Sequence, residues 1–584
     1  MELKGIAVSP GIAVGEALLV EREAVPLFRL LLQPEHVELE VQRLSRAVAV
    51  SREQLQAIKQ RLSKEVGSPH AYIFDAQLLM LDDPLLVDRS VAVIREEHVN
   101  AGWALRTVAE QLHALFDEFN DAYLKERSTD LDDLLGRVQL NLAGAADAPS
   151  LSRLPRAHVL VAQDVTPSEA AELDWERVLA VVTDAGSATS HTAILARSLG
   201  VPAVAGVHDA AKRIPAGALV VVDGTRGVVE VEPSQPSLAG YRAAQQRAEA
   251  EEERLQQTRA LPALTRDGVA VRLLANAEFL EEAATAVLYG AQGIGLFRSE
   301  YLLGRSRRWP DEDKQVEAYR SLLAQVHPHP VTIRTWDVGA EELAPGGPSS
   351  PNPALGERAL RLLVRDPAPF RTQLRAILRA ATAGPLRIMF PFVAGPADLR
   401  AALELLEEAK RGLRLEGVAM GEQVPVGLNL ELPSAALTVD LLARDVDFFS
   451  VGTNDLIQYL LAVDREDPRV ARLYEPLHPA VVRTLRLIVE AAQAAGRPLS
   501  VCGEMAADPL QALLLVGLGV RELSMSPSAV PRVKAALRAG SFASAREAAL
   551  GCLALSSASE IEHHLREALG SALQEGLAVQ PEGA

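Results

Sequence analysis

The sequence predicts a multidomain α/β protein: an α/β domain carrying an inserted helical subdomain, followed by a C-terminal (β/α)8 barrel. Three observations carry that expectation. Strand-like apolar runs open the chain and return near residue 157, as AHVLVAQDV, RVLAVVTDAG and ALVVVDGTRGVVEVEP. Between them, residues 35–145 show long helical periodicity, rich in Glu, Gln, Arg and Leu and poor in Gly and Pro. Beyond residue 262 the chain settles into a rhythm of apolar strand, loop and helix.

Taken in order, residues 1–34 form the first part of the α/β domain, with alternation, Gly and Pro suited to strands and turns. Residues 35–145 are the helical subdomain, and 146–233 complete the α/β domain. Residues 234–262, including YRAAQQRAEAEEERLQQTR, read as a polar helical linker. Residues 263–584 supply eight strands: VRLLANAE, GIGLFRSE, VTIRTWDVG, LRIMFPFV, VPVGLNLELP, VDFFSVGTND, PLSVCGEM and RELSMSP. Eight strand–helix units in succession are the signature of a closed barrel.

Composition narrows the function classes. A chain of 584 residues exceeds one core, so several domains are expected. Lys and Arg total 59 against 77 Asp and Glu, a net charge of −18, which argues against a nucleic-acid-binding surface. An anionic substrate therefore needs a local basic pocket. Two cysteines, Cys502 and Cys552, are too few for a disulfide framework or a Cys-rich zinc site and suit a reducing compartment. The apolar start lacks a basic leader and a cleavage site, and no run of apolar residues is long enough to span a bilayer. A cytoplasmic protein is expected.

In a (β/α)8 barrel the active site is built at the C-terminal ends of the strands. Those ends carry Arg298, Arg334, Glu431, Asn454, Asp455 and Cys502, and Arg465 follows the sixth strand. Any one of them has an ordinary explanation; together they define a ligand. Arginines fork onto phosphate and carboxylate oxygens. Glu431 and Asp455, hard carboxylates with no His or Cys beside them, suit Mg²⁺ shared with substrate oxygens. The expected ligand is a small, doubly anionic phosphorylated acid.

A second site lies in AGSATSHTAILARSLG, residues 185–200. His191 stands at the mouth of a helix behind Ser187, Thr189 and Ser190. A neutral imidazole is a nucleophile near pH 7 and can carry a phosphoryl group, whose charge free N–H groups at a helix start would stabilise. His191 is therefore read as a phosphohistidine carrier. Cys552, His70, His478 and the acidic runs near 81 and 311 read as packing or solvated surface.

With these blocks in view the chain resembles, nearly end to end, Enzyme I of the bacterial sugar phosphotransferase system. The resemblance rests on SPGIAVG, YLKERSTDLDDL, TDAGSATSHTAILARS, GIGLFRSEYLL, IRTWDVG, NPALGERALR, IMFPF, FFSVGTNDLIQYLLAVDR, CGEMA and ELSMSP. It implies that His191 takes the phosphoryl group from phosphoenolpyruvate and passes it to the histidine phosphocarrier protein. It implies that Arg298, Arg334, Asn454, Asp455 and Arg465 hold phosphoenolpyruvate, that Glu431 and Asp455 hold Mg²⁺, and that Cys502 protonates the enolate carbon. A carrier-docking helical subdomain, a homodimer formed through the barrels and a swinging phosphohistidine domain are implied too.

Four positions depart from the family's usual pattern. Gly186-Ser187 replaces Gly-Gly before the histidine motif, and Gly339-Ala340-Glu341-Glu342 replaces Gly-Gly-Asp-Lys, removing a basic residue near the mouth. Asn429 stands where Met is usual, and AEFLEE lacks an expected glycine. Two rival readings stand beside the resemblance. A phosphoenolpyruvate synthase or pyruvate phosphate dikinase shares both modules but needs a nucleotide-binding domain, and no Gly-rich phosphate loop precedes His191. A silent regulatory paralogue is disfavoured by intact His191, Asp455 and Cys502, and by the expectation that no sensory domain precedes SPGIAVG.

Overall fold

The structure, a computed structural model, describes the chain except residues 21–27, 66–72, 82, 119–121, 145–155, 167–168, 171–172, 187–190, 305–307, 344–349, 351, 468 and 578–584. It divides into two units, Met1–Ala248 and Glu249–Ala584.

The first unit is built on strands β1 (Glu2–Lys4), β2 (Ile6–Ser9), β3 (Ile12–Val20), β4 (His158–Ala162), β5 (Val178–Thr183), β6 (Ala203–Ala205), β7 (Leu219–Asp223) and β8 (Val228–Val231). They form one sheet in the order β1-β8-β7-β3-β4-β5-β6-β2. β3 lies at the change of direction, antiparallel to β7 and parallel to β4. Side chains on a strand alternate between faces, and here both faces are apolar. Val159 and Val161 join one core while Leu160 and Ala162 join the other; Ala180 and Val182 part from Val181 in the same way. A sheet covered on both sides needs the near-continuous apolar runs that the sequence carries.

The helical insertion follows β3. Its first helix, Val37–Glu65, buries Val37, Val41, Leu44 and Val48, a spacing of four, three and four that keeps one face inward. Helices Ala101–Glu118 and Ala122–Ala143 pack in the same core. Polar ties fix their order: Glu40 Oε1 accepts from the Ala101 backbone N–H at 2.8 Å, and Arg43 donates to the Leu142 carbonyl at 2.7 Å.

The second unit holds the barrel. Its strands are β9 (Arg272–Ala277), β10 (Ile294–Arg298), β11 (Val331–Arg334), β12 (Leu386–Phe390), β13 (Val426–Leu430), β14 (Phe448–Val451), β15 (Leu499–Val501) and β16 (Glu522–Met525). Each pairs in parallel with its neighbours and β16 closes onto β9. Outer helices present stripes at helical spacing, such as Leu399, Ala402, Leu406, Ala409 and Leu413 of Pro396–Glu416. Proline opens the helices at 367, 396, 433, 479 and 509, where its missing N–H is not needed. The residues read as ordinary structure include two helix caps: Asp311 accepts from Lys314 N and His478 from Ala480 N. Cys552 is buried, and His70 lies outside the described residues. Among the described residues, no helix is long and apolar enough to cross a membrane.

Helices Pro509–Leu518 and Phe542–Cys552 approach so closely that a Cβ on Gly517 would lie 2.1 Å from the Ala545 carbonyl oxygen. Backbone cannot yield as a flexible side chain would. Gly517→Ala is expected to destabilise the barrel by about 1–3 kcal/mol, read from the midpoint of chemical denaturation; an unchanged midpoint would contradict this packing.

Candidate active site

The strand ends bring the expected residues to one mouth. Arg298 and Arg334 are the last residues of β10 and β11. Glu431 and Cys502 follow β13 and β15 directly, and Asn454 and Asp455 lie in the first turn of the helix Thr453–Leu461 after β14. Arg465 reaches back from the loop beyond that helix, its guanidinium 3.0 Å from Asp455 Oδ1.

The centre of the mouth is a buried charged network. Arg334 Nη1 lies 2.8 Å from Asp337 Oδ2, and its Nη2 3.2 Å from Glu300 Oε1. Arg358 Nη2 donates to Asp337 Oδ1 at 2.8 Å. Burial alone would raise the Asp337 carboxyl, but the two guanidiniums outweigh it and hold it below its usual range. Burial raises Glu300, with Arg334 opposing. Arg334 Nε, also buried, makes no hydrogen bond within the protein, which leaves one donor spare.

One carboxylate oxygen from each of Asp337, Glu431 and Asp455 lies within 4.8 Å of the others. This donor set fits a hard divalent cation. Its electrostatics point the same way: burial drives the Glu431 carboxyl well above its ordinary range, and Asp337 and Asp455 push it further. Glu431 accepts from Phe392 N at 2.5 Å and from Asn429 Nδ2. Both Asp337 oxygens are engaged by arginines, whereas the Glu431 oxygens meet only neutral N–H donors and Asp455 is paired through Oδ1 alone.

The remaining members have distinct settings. Arg298 is partly exposed and pairs with Glu278 at 2.9 Å. Asn454 Oδ1 accepts from the Glu504 backbone N–H at 2.8 Å, which fixes its amide. Cys502 packs inside the barrel with Leu296, Met389 and Phe448. Burial pushes its thiol up to about 11, so it stays protonated at neutral pH.

Asp337 and Arg358 were not among the expected site residues. Both fall in distinctive blocks, IRTWDVG and NPALGERALR, yet only the fold shows them meeting, when Gly339 bridges to Arg358 and carries that loop to the end of β11. The departure at Glu341 is also accounted for locally, since its carboxylate accepts from Ser350 N. The Glu342 side chain lies outside the described residues.

In the first unit the helix His191–Ser198 begins at the expected histidine. Ala193, Leu195 and Ala196 seat it in the core, and Thr192 Oγ1 donates to the Val165 carbonyl at 2.8 Å. The His191 side chain and residues Ser187, Thr189 and Ser190 lie outside the described residues.

Residues 252–542 match the family described as the PEP-binding domain of PEP-utilising enzymes, residues 4–127 its N-terminal domain and residues 154–227 its mobile domain. The chain is 42% identical over 545 residues to a phosphoenolpyruvate-protein phosphotransferase of Cupriavidus necator, covering 91% of this chain and 93% of that one. It is 41% identical over 540 residues to the phosphoenolpyruvate-protein phosphotransferase of Geobacillus stearothermophilus, covering 92% and 93%. A solution structure of an Enzyme I protein is 39% identical, covers 42% of this chain and 98% of its own, and has a TM-score of 0.37.

The carboxylate arrangement gives a direct expectation. Without a divalent cation, Glu431→Gln removes a buried charge from between two others and should unfold at no lower a temperature than the unsubstituted chain. Saturating Mg²⁺ should stabilise the unsubstituted chain by about 2.7 kcal/mol at a hundredfold excess over Kd, read as a higher melting temperature, and leave Glu431→Gln unmoved. An equal rise in both would remove Glu431 from the cation site.

Proposed function

The chain belongs to the phosphoenolpyruvate-protein phosphotransferase family, and from that premise we propose how its own residues divide the reaction. His191 attacks the phosphorus of phosphoenolpyruvate. The bond from phosphorus to the enol oxygen breaks, and its electrons remain on the enolate of pyruvate. The phosphohistidine then passes its group to the histidine of the phosphocarrier protein. Because His191 and the barrel belong to different units, the unit bearing the histidine must reach the mouth during transfer. The same proposal takes residues 35–145 as the carrier-docking subdomain, 234–262 as the hinge, the barrels as the homodimer contact and the cytoplasm as the location.

The observation that carries this reading is the single buried network of Arg334, Arg358, Asp337, Glu431 and Asp455 at the C-terminal ends of the strands. Arg298, Arg334 and Arg465 bind the phosphate and carboxylate oxygens, trading their present acidic partners for the substrate. Asn454 and Asp455 complete the binding set. Mg²⁺ held by Glu431 and Asp455 would supply neutralising charge for the substrate oxygens.

Cys502 completes the carbon chemistry. Its S–H proton passes to the methylene carbon of the enolate, giving the methyl group of pyruvate, and solvent later reprotonates the thiolate. A thiol raised to about 11 is fully loaded as a donor at neutral pH. Cys502→Ala should still bind phosphoenolpyruvate, yet form pyruvate roughly 10²–10⁴-fold more slowly. Phosphoryl exchange between His191 and the carrier, which involves no carbon, should persist. Near-normal pyruvate formation, followed by a coupled dehydrogenase assay, would exclude Cys502 as the acid.

A further inference from the structure

Asn429 departs from the family pattern inside the charged mouth. It is the fourth residue of β13 and is buried, 3% exposed. Its Nδ2 donates to Glu431 Oε2, and its Oδ1 lies 3.6 Å from the Cys502 sulfur. With the NH₂ of the amide donating to Glu431, its oxygen faces the thiol. A Cβ on Gly452 would lie 2.9 Å from Nδ2 and 3.0 Å from Oδ1, so the amide occupies space that any larger residue at 452 would need.

The thiol has Asn429 Oδ1 and the Val451 carbonyl each at 3.6 Å, with the Ser450 side chain beside it as a third partner. They are not equivalent. The Val451 carbonyl already accepts the backbone N–H of Cys502 at 3.0 Å, so Asn429 Oδ1 is the freer of the two oxygens at that distance. It belongs to the side chain that also donates to Glu431, whereas Val451 offers only its backbone carbonyl.

We propose that Asn429 is a positioning residue that ties the proton donor Cys502 to the cation carboxylate Glu431, aiming the S–H toward the substrate side and fixing the orientation of the carboxylate. The proposal rests on the roles given above to Cys502 and Glu431. A methionine at this position can donate nothing to Glu431 and offers the thiol only a weak acceptor, so the link is particular to a chain with Asn here.

The experiment is a pair of double-mutant cycles on the full-length chain, with Asn429→Leu and, as a second, unbranched apolar variant, Asn429→Met. At saturating Mg²⁺, kcat for pyruvate formation should fall by about tenfold in Asn429→Leu, the worth of one well-made hydrogen bond, while KM for phosphoenolpyruvate holds. In the Cys502→Ala background the same substitution should have little further effect, because its partner is gone. Mn²⁺ alone, titrated by electron paramagnetic resonance, should bind about tenfold more weakly to Asn429→Leu, with no added loss in Glu431→Gln. An unchanged kcat, or a loss of equal size with and without Cys502, would overturn the link to the thiol. Unchanged Mn²⁺ affinity would overturn the link to the carboxylate. If Leu misfolds, the Met variant carries the same comparisons. Failure of the underlying reading would show separately, as normal pyruvate formation in Cys502→Ala alone or normal Mn²⁺ affinity in Glu431→Gln alone.

Discussion

Three carboxylates brought within 4.8 Å of one another in a buried mouth are the constraint around which the second unit is organised. Left to themselves they would not all stay ionised. Asp337 is stabilised by a guanidinium on each side, while Glu431 is not and is driven well above the ordinary carboxylate range. Glu431 therefore ionises readily only when further positive charge arrives, and exposed and half-exposed arginines stand beside it. That combination suits a divalent cation arriving with an anionic substrate better than either ligand alone. Removing Asp337 or one of its guanidinium partners costs about 3–5 kcal/mol, because the other charge is stranded. A chain that keeps it gains chemistry from the arrangement more than stability.

The barrel makes this arrangement affordable. Strands of only three to six residues, each hydrogen-bonded on both sides, end together and hold their next residues rigidly. Glu431 and Cys502 come one step after β13 and β15, so their positions are set by strand register and not by loop conformation. A net charge of −18 says nothing of this. The basic groups proposed to meet the substrate are local, and their charge is visible only where strands converge.

Much of that convergence was legible in the sequence. All eight barrel strands fall within the apolar runs that predict them, because buried parallel strands need nearly unbroken apolar stretches and their flanking loops are polar. Arg298, Arg334, Glu431, Asn454, Asp455, Arg465 and Cys502 could be singled out since strand ends in a barrel face one way. Asp337 and Arg358 could not, although they sit at the heart of the network. They are 21 residues apart, on no strand, and meet only through the bridge between Gly339 and Arg358. Asn429 was noticed as an anomaly, but its partners are a carboxylate two residues on and a thiol 73 residues away. Local pattern reports periodicity and turn chemistry; pairings at long range belong to the fold.

The central claim is that phosphoenolpyruvate held at the barrel mouth delivers its phosphoryl group to one histidine in the other unit. The most direct measurement incubates the full-length chain with ³²P-labelled phosphoenolpyruvate and Mg²⁺, without nucleotide, and maps the label by mass spectrometry under alkaline conditions that preserve phosphohistidine. One labelled site, His191, with no label in His191→Ala, is the expected result. Label on another residue, or label only when ATP is supplied, would contradict the account.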